Sequence, residues 1–167
     1  MIELRVLTAD DWGLWRELRL AALAEAPYAF GSRLSDWQGE GDREDRWRSR
    51  LDLPGSLNLV AVRDGHGLGM ASGVPEGGGV VKVISMWVSP VARGLGVGDL
   101  LVQAVEDWAR KGKATVLRLA VVPDNNKAVA LYQRHGFRRT EIVGDLMPDG
   151  VRTEMVMAKP LTTEPAA

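Results

Sequence analysis

The sequence has 167 residues, of which 46% are hydrophobic and 26% are charged, a composition typical of one soluble globular domain. The net charge of −1, the absence of an apolar run of membrane-spanning length and the lack of a secretory signal predict a cytoplasmic protein without nucleic-acid or membrane partners. The sequence contains no cysteine, which excludes disulfides, thiolate metal sites and a cysteine nucleophile.

The first half of the chain predicts a strand, two helices and a hairpin. Alternating apolar residues indicate strands, whereas leucines and alanines at helical spacing indicate the first helix. Gly65 and Gly67 separate two apolar runs, so we interpret them as a hairpin turn rather than a ligand-binding loop. In chain order we expect a strand at 2–8, helices within 12–26 and 39–51, and strands at 57–64 and 68–74.

The second half predicts a strand, a helix, a strand and a second helix, followed by a closing hairpin. Antiparallel hairpins at both ends and a parallel crossover in the middle predict a mixed α/β sheet of six to seven strands with flanking helices. The first of these helices is expected to bury one apolar face, formed by Leu100, Leu101, Ala104, Val105 and Trp108. The expected strands lie at 80–88, 115–122, 138–145 and 151–158, and Gly136 is expected to end the second helix.

The segment SPVARGLGVGDLLVQAVEDWAR, residues 89–110, places an arginine and three glycines before a helix. The first N–H groups of a helix have no partner within the helix and suit phosphate oxygens. Gly94, Gly96 and Gly98 leave room for a pyrophosphate beside the backbone, and Arg93 adds positive charge. The loop is not a P-loop, because Gly98 is followed by Asp-Leu rather than Lys-Ser or Lys-Thr. It also lacks the G-x-G-x-x-G spacing of a dinucleotide-binding βαβ unit.

The same segment resembles the acyl-CoA signature of the GNAT superfamily of N-acetyltransferases, Arg/Gln-x-x-Gly-x-Gly/Ala, which Arg93, Gly96 and Gly98 match. A second stretch, VVPDNNKAVALYQRHGF, resembles the fifth strand and the following helix of that family. The resemblance covers nearly the whole chain. It implies a GNAT-like sheet with splayed fourth and fifth strands, formed by a single domain at 1–160 with a short flexible tail at 161–167.

The resemblance also implies acetyl-CoA as cosubstrate, without a metal ion. The backbone of residues 86–88 would pair with the pantetheine arm like an added strand, and the loop 93–98 would bind the pyrophosphate. Asn125 would hydrogen-bond the pantetheine arm, while Ala128 and Leu131 would line its thiol end. The CoA-binding residues implied in this way are Met86, Trp87, Val88, Arg93, Gly94, Leu95, Gly96, Val97, Gly98, Asn125, Ala128, Leu131 and Tyr132.

Tyr132 is the expected catalytic residue. A tyrosine of ordinary pKa, about 10, stays protonated at neutral pH and can donate a proton to the departing sulfur. The general base is left open, because the fourth-strand stretch VVKVISMWV carries no carboxylate. Glu76, Asp145, Glu154 and a water-mediated route are all candidates.

The resemblance implies an N-acetyltransferase that moves an acetyl group from acetyl-CoA to a primary amine of a small molecule, peptide or protein. Without a cysteine to carry the acetyl group, direct attack in a ternary complex is expected. The alternative is a non-catalytic acyl-CoA-binding regulatory or interaction module. Tyr28, Phe30 and one or two tryptophans are candidates for an acceptor pocket, with core packing as the other interpretation of each tryptophan, and a homodimer is possible.

Overall fold

The computed structural model describes residues 1–26, 34–147 and 149–161, which form a seven-stranded mixed sheet with helices on both faces. The strand order is β1-β2-β3-β4-β5-β7-β6, and every neighbouring pair is antiparallel except β4 and β5. The elements are β1 (Glu3–Val6), α1 (Trp12–Glu25), α2 (Glu44–Leu51), β2 (Leu57–Arg63), β3 (His66–Gly77), β4 (Val80–Val88), α3 (Val97–Lys111), β5 (Val116–Val121), α4 (Asn126–Arg134), β6 (Arg138–Leu146) and β7 (Thr153–Pro160).

The predicted α/β architecture is confirmed, including the splay between the fourth and fifth strands. The parallel pairing of β4 with β5 covers only Val80–Lys82 against Val116–Arg118. Beyond Lys82, β4 continues for six residues without a partner strand on its β5 side. The sheet therefore forks, and the fork leaves backbone donors and acceptors of β4 available to a ligand.

The two faces of the sheet carry separate apolar cores. On one face, α3 contributes Leu101 and Val105 to a cluster that includes Val83 and Leu117. On the other face, α1 and α2 contribute the fully buried Trp15 and Trp47 to a second cluster. Burial of this apolar surface holds the helices on the sheet and fixes where their ends lie.

The apolar face of α3 differs from the prediction. Leu101 and Val105 are buried, and Ala104 and Trp108 are partly buried, but Leu100 is 42% exposed. The buried stripe is rotated because Val97 begins the helix inside the core and Trp108 packs against the bare Cα of Gly73. The fully buried members of the stripe are Val97, Leu101, Val102, Val105 and Ala109.

The hairpin interpretation of the GHG segment is confirmed. Asp64 and Gly65 both have positive φ angles, 52° and 78°, as the two central residues of a type I′ turn require. They join β2 to β3, and no helix follows. At the C-terminal end, Leu161 is buried and its N–H donates to Thr115 O. Tyr28 and Phe30 lie outside the described residues, as do residues 162–167 of the predicted tail.

Candidate functional site

A cleft of about 750 Å³ opens at the fork of the sheet. It is bounded by the end of β4, the loop before α3, the start of α4 and the last residues of α1. It brings together all the sequence-predicted CoA-binding residues except Leu95, whose side chain is 48% exposed and does not line the cleft. The predicted residues on its wall are Met86, Trp87, Val88, Arg93, Gly94, Gly96, Val97, Gly98, Asn125, Ala128, Leu131 and Tyr132.

The three glycines predicted to precede the helix have two different structural roles, because α3 begins at Val97 and Gly98 lies in its first turn. Gly94 and Gly96 have φ angles of 85° and 80°, and a Cβ at either position would meet no atom within 4 Å. These two positions are glycine because of the backbone conformation, and open space lies beside them. A Cβ on Gly98 would lie 3.1 Å from Leu131 Cδ2. Gly98 therefore allows α3 and α4 to approach each other, a role that the predicted room for a ligand did not include.

Gly96 is the N-cap of α3. The N-terminal end of this helix lines the cleft, so the N–H groups of its first turn, which have no partner within the helix, lie at the cleft wall. Aligned peptide dipoles give this end partial positive charge. Asp99, in the first turn, accepts a hydrogen bond from Arg134 at 3.2 Å and lies 2.8 Å from His135 Nε2. These contacts lower the pKa of the Asp99 carboxyl below its usual value, His135 being the largest cause. The one carboxylate of the first helical turn is thus paired with groups of α4 and its C-terminal end.

Glu25, the last residue of α1, is a cleft residue that the sequence analysis missed. Its carboxylate accepts hydrogen bonds from Trp87 Nε1 at 3.0 Å and from Arg93 Nη2 at 2.8 Å. Arg93 Nε also donates to Val88 O at 3.2 Å. The Trp87 hydrogen bond, followed by those of Arg93, lowers the pKa of Glu25 against the opposing effect of burial. A glutamate at a helix end carries no sequence signal for contact with groups more than sixty residues away.

Asn125 begins α4. Its side-chain Oδ1 accepts a hydrogen bond from Ala128 N at 3.3 Å, which caps the helix. One turn of α4 then places Ala128 and Leu131 on the cleft wall. The amide oxygen of Asn125 thus has a structural role, and its amide nitrogen remains for a ligand.

Tyr132 lies on the cleft wall and is only 6% exposed. Its ring packs edge-on against Phe137, with 5.8 Å between the ring centroids. Burial raises the pKa of its phenol above the usual value, because the phenolate would lose solvation. The phenol therefore remains protonated across the physiological pH range and can act as a proton donor.

The carboxylates considered as general bases lie in different environments. Glu76 and Asp145 are exposed, on β3 and β6. Glu154, on β7, is half-buried and lines a second cavity of about 280 Å³ beside Pro123, the second residue after β5. Burial, and then the charge of Asp145, raises the pKa of Glu154, whereas Lys82 opposes this rise. The environment of Glu154 therefore favours binding a proton.

The described tryptophans of the helices act as core anchors. Trp15 and Trp47 are fully buried. Trp47 Nε1 donates to Asp42 Oδ1 at 2.8 Å, and Trp37 lies over Trp47 with 4.5 Å between the ring centroids. Trp87 is the tryptophan that reaches the cleft.

Two further observations concern the described residues, 1–26, 34–147 and 149–161. Within these ranges, no group of three or more histidine, cysteine, aspartate or glutamate side chains is arranged to hold a metal ion. None of the helices in these ranges is long and apolar enough to cross a membrane.

Comparison with known proteins gives concordant matches. Residues 17–137 match the acetyltransferase (GNAT) family. The chain is 35% identical over 112 residues to the IAA acetyltransferase of Azospirillum brasilense, covering 66% of this chain and 72% of that protein. The chain spans less than half the length of several other curated acetyltransferases that it matches.

Solved structures show the same fold over nearly the entire chain. A GCN5-related N-acetyltransferase from Kribbella flavida is 28% identical, with a TM-score of 0.77 and coverage of 96% of this chain and 98% of that one. The PaiA N-acetyltransferase of Thermoplasma acidophilum, solved with coenzyme A, has a TM-score of 0.76 at 17% identity, covering 96% and 99% of the two chains. The second likeness concerns the fold alone.

Proposed function

The chain belongs to the acetyltransferase (GNAT) family of acyltransferases, and from this premise we propose that it transfers the acetyl group of acetyl-CoA directly to a primary amine of a small molecule, peptide or protein. The observation that carries the proposal is the cleft itself. It combines an unpaired strand edge, a helix N-terminus with a glycine loop, and a buried tyrosine.

The pyrophosphate of CoA would bind at the start of α3. The backbone around Gly94 and Gly96 is bare and adopts left-handed φ angles, so phosphate oxygens can reach the N–H groups without meeting side chains. Arg93 stands beside this loop, held by Glu25 and by Val88 O. A guanidinium has five N–H donors, so these contacts leave donors for a phosphate.

The pantetheine arm would extend β4 at the fork. Beyond Lys82 the backbone of β4 lacks a strand partner on the β5 side, and Met86 and Val88 line the cleft there. An extended amide chain laid along this edge would form hydrogen bonds like those of an added strand. Ala128 and Leu131 from α4 would contact its thiol end, and Asn125 would contribute its free amide nitrogen.

The reaction needs one proton donor and one proton acceptor. The amine nitrogen attacks the carbonyl carbon of the thioester, the C–S bond breaks, and the sulfur takes a proton as CoA leaves. Tyr132 suits the donor role because its phenol lies on the cleft wall and is protonated at neutral pH. The neutral amine loses one proton as the amide forms, and a proton from solvent restores the Tyr132 phenol after CoA departs.

Glu154 is the carboxylate that best suits the acceptor role. Burial raises the pKa of Glu154, which favours its binding a proton, whereas Glu25 is paired with Trp87 and Arg93 and has a lowered pKa. Glu154 lies on the strand beside β5 and lines the cavity next to Pro123. Glu154 does not line the cleft, and the cavity and the cleft share no lining residue. Proton transfer from the amine to Glu154 would therefore need water molecules that connect the cleft with this cavity.

The alternative of a non-catalytic acyl-CoA-binding module is not favoured, since the curated relatives are named acetyltransferases. An amine panel tests the choice: the protein is mixed with acetyl-CoA and small primary amines, peptides or proteins, and both free thiol and acetylated product are measured. We expect equal amounts of the two with at least one amine class. Tight CoA binding without product across the panel would support the binding module instead.

A further inference from the structure

The strand that forms the cleft edge contains a β-bulge at Ser85 and Met86. Met70 and Ser72 on β3, two positions apart, pair with Trp87 and Ile84 on β4, three positions apart. β4 therefore carries one extra residue at this point. Ser85 has a φ of 54°, a left-handed conformation that non-glycine residues seldom adopt. Surrounding contacts must hold such a conformation in place.

The bulge decides which face of the sheet the side chains of Met86 and Trp87 join. Val83 and Met86, three residues apart, both lie on the α3 side of the sheet, and Met86 lines the cleft. Trp87 lies in the opposite core, where it reaches Glu25. In a strand without the bulge, side chains alternate strictly, so Met86 and Trp87 would exchange faces.

Arg50, from α2, forms the contacts that hold the bulge. Its Nη2 donates to Ser85 Oγ and to Ser72 Oγ, each at 3.0 Å, and its Nη1 donates to Asn58 Oδ1 at 3.0 Å. Ser72 Oγ in turn donates to Asn58 Oδ1 at 2.7 Å. A single planar guanidinium thus bonds to β2, β3 and the bulged residue of β4.

The surroundings of Arg50 keep this network rigid. Its guanidinium carbon lies 4.9 Å from the centre of the Trp15 ring, and Asn58 Nδ2 donates to Leu51 O at 3.2 Å, which ties the end of α2 to β2. Burial lowers the pKa of Arg50 to about 10, so the side chain is still cationic at neutral pH. Arg50 does not line the cleft, so its effect on the reaction would pass through β4.

We propose that Arg50 is a positioning residue that holds the Ser85 bulge and thereby sets which face of β4 is presented to acyl-CoA at the fork. This inference rests on the proposed function for its effect on rate. Its effect on the conformation of β4 and on CoA binding is independent of turnover.

The test compares Arg50→Met, Ser85→Ala and the double variant with Arg48→Met as a matched control. Arg48 lies on the same helix and pairs with Asp10 and Glu44 on the surface, so its loss removes a charge of α2 without touching the bulge. Folding of each variant is checked by circular dichroism below its unfolding temperature. The measured quantities are kcat, KM for acetyl-CoA, CoA affinity by calorimetry, and amide exchange of a peptide containing residues 84–88.

We expect Arg50→Met to lower kcat/KM for acetyl-CoA by about 10- to 100-fold, because small displacements at a reacting centre have effects of this size. Exchange at 84–88 should rise, Arg50→Lys should retain an intermediate rate, and Arg48→Met should leave all of these readings unchanged. The Arg50 and Ser85 effects should be strongly non-additive, since both remove the same contact.

Two outcomes would overturn the proposal. One is a folded Arg50→Met protein with wild-type CoA affinity and wild-type exchange at 84–88. The other is full additivity of the Arg50 and Ser85 effects. If the wild-type protein shows no turnover, the proposed function fails, but CoA affinity and amide exchange still decide the role of Arg50.

Discussion

Gly96→Val tests whether the loop before α3 holds the pyrophosphate of CoA. Gly96 has a φ of 80° and no atom within 4 Å of the position of an added Cβ. Valine therefore meets no clash in the protein, but it must adopt a left-handed backbone, which costs a non-glycine residue about 1–2 kcal/mol. Its side chain also projects from the loop at the wall of the cleft.

Gly65→Val is a matched control for the free-energy cost of placing valine in a left-handed backbone conformation. Gly65 has a φ of 78°, also with no atom within 4 Å of an added Cβ, but it lies in the hairpin between β2 and β3, outside the cleft. We expect both variants to lose a similar free energy of unfolding, measured by denaturant titration. Only Gly96→Val should weaken CoA binding, by at least about 100-fold or about 2.8 kcal/mol, because valine occupies the phosphate position.

Calorimetric titration with CoA tests whether the glycine loop holds the pyrophosphate. If Gly96→Val binds CoA as tightly as Gly65→Val while both remain folded, the glycine loop does not hold the pyrophosphate. If Gly65→Val weakens CoA binding as much as Gly96→Val, the effect arises from general destabilisation.

Three further predictions follow from the cleft. Tyr132→Phe should lower the single-turnover rate by about 100-fold with CoA affinity nearly unchanged, since it removes only the proton donor; an unchanged rate would exclude that role. Arg93→Ala should weaken CoA binding by about 10-fold, with a reduced dependence on salt, as expected for loss of a charged hydrogen bond; an identical salt dependence would contradict phosphate binding by Arg93. The pKa of Glu154 is raised in the folded protein, so the protonated carboxyl contributes to the free energy of unfolding at low pH. This contribution is lost as the pH rises through the pKa of the folded state. Glu154→Gln should therefore stabilise the protein at neutral pH while lowering kcat and removing the acidic limb of the pH–rate profile, and an unchanged profile would exclude Glu154 as the proton acceptor.

Local patterns were sufficient to predict much of the fold and the loop. The hairpin near Gly65 follows from turn chemistry, although the structure places its two central residues at Asp64 and Gly65. The helix after the glycine loop follows from apolar spacing, although it begins at Val97 and not after Gly98. The fork was implied by family resemblance, and the structure explains it by a parallel pairing that ends at Lys82 and Arg118.

Features that depend on packing between distant segments were not predictable in this way. Leu100 is exposed because the orientation of α3 on the sheet depends on residues of β3 such as Gly73. Glu25 joins the cleft because the end of α1 lies against Trp87 and Arg93. The bulge at Ser85 has no local marker, since it depends on hydrogen bonds from Arg50, 35 positions earlier in the chain.

Single-turnover transfer of an isotopically labelled acetyl group from acetyl-CoA is the most direct test of the central claim. The protein is mixed with labelled acetyl-CoA, first without an acceptor and then with an amine that the panel identifies as active. We predict that the label stays on CoA in the first case and passes to the amine in the second, with one thiol released per acetyl group. Label on the protein without an amine would contradict direct transfer, and label that stays on CoA with every amine would contradict acetyltransferase activity.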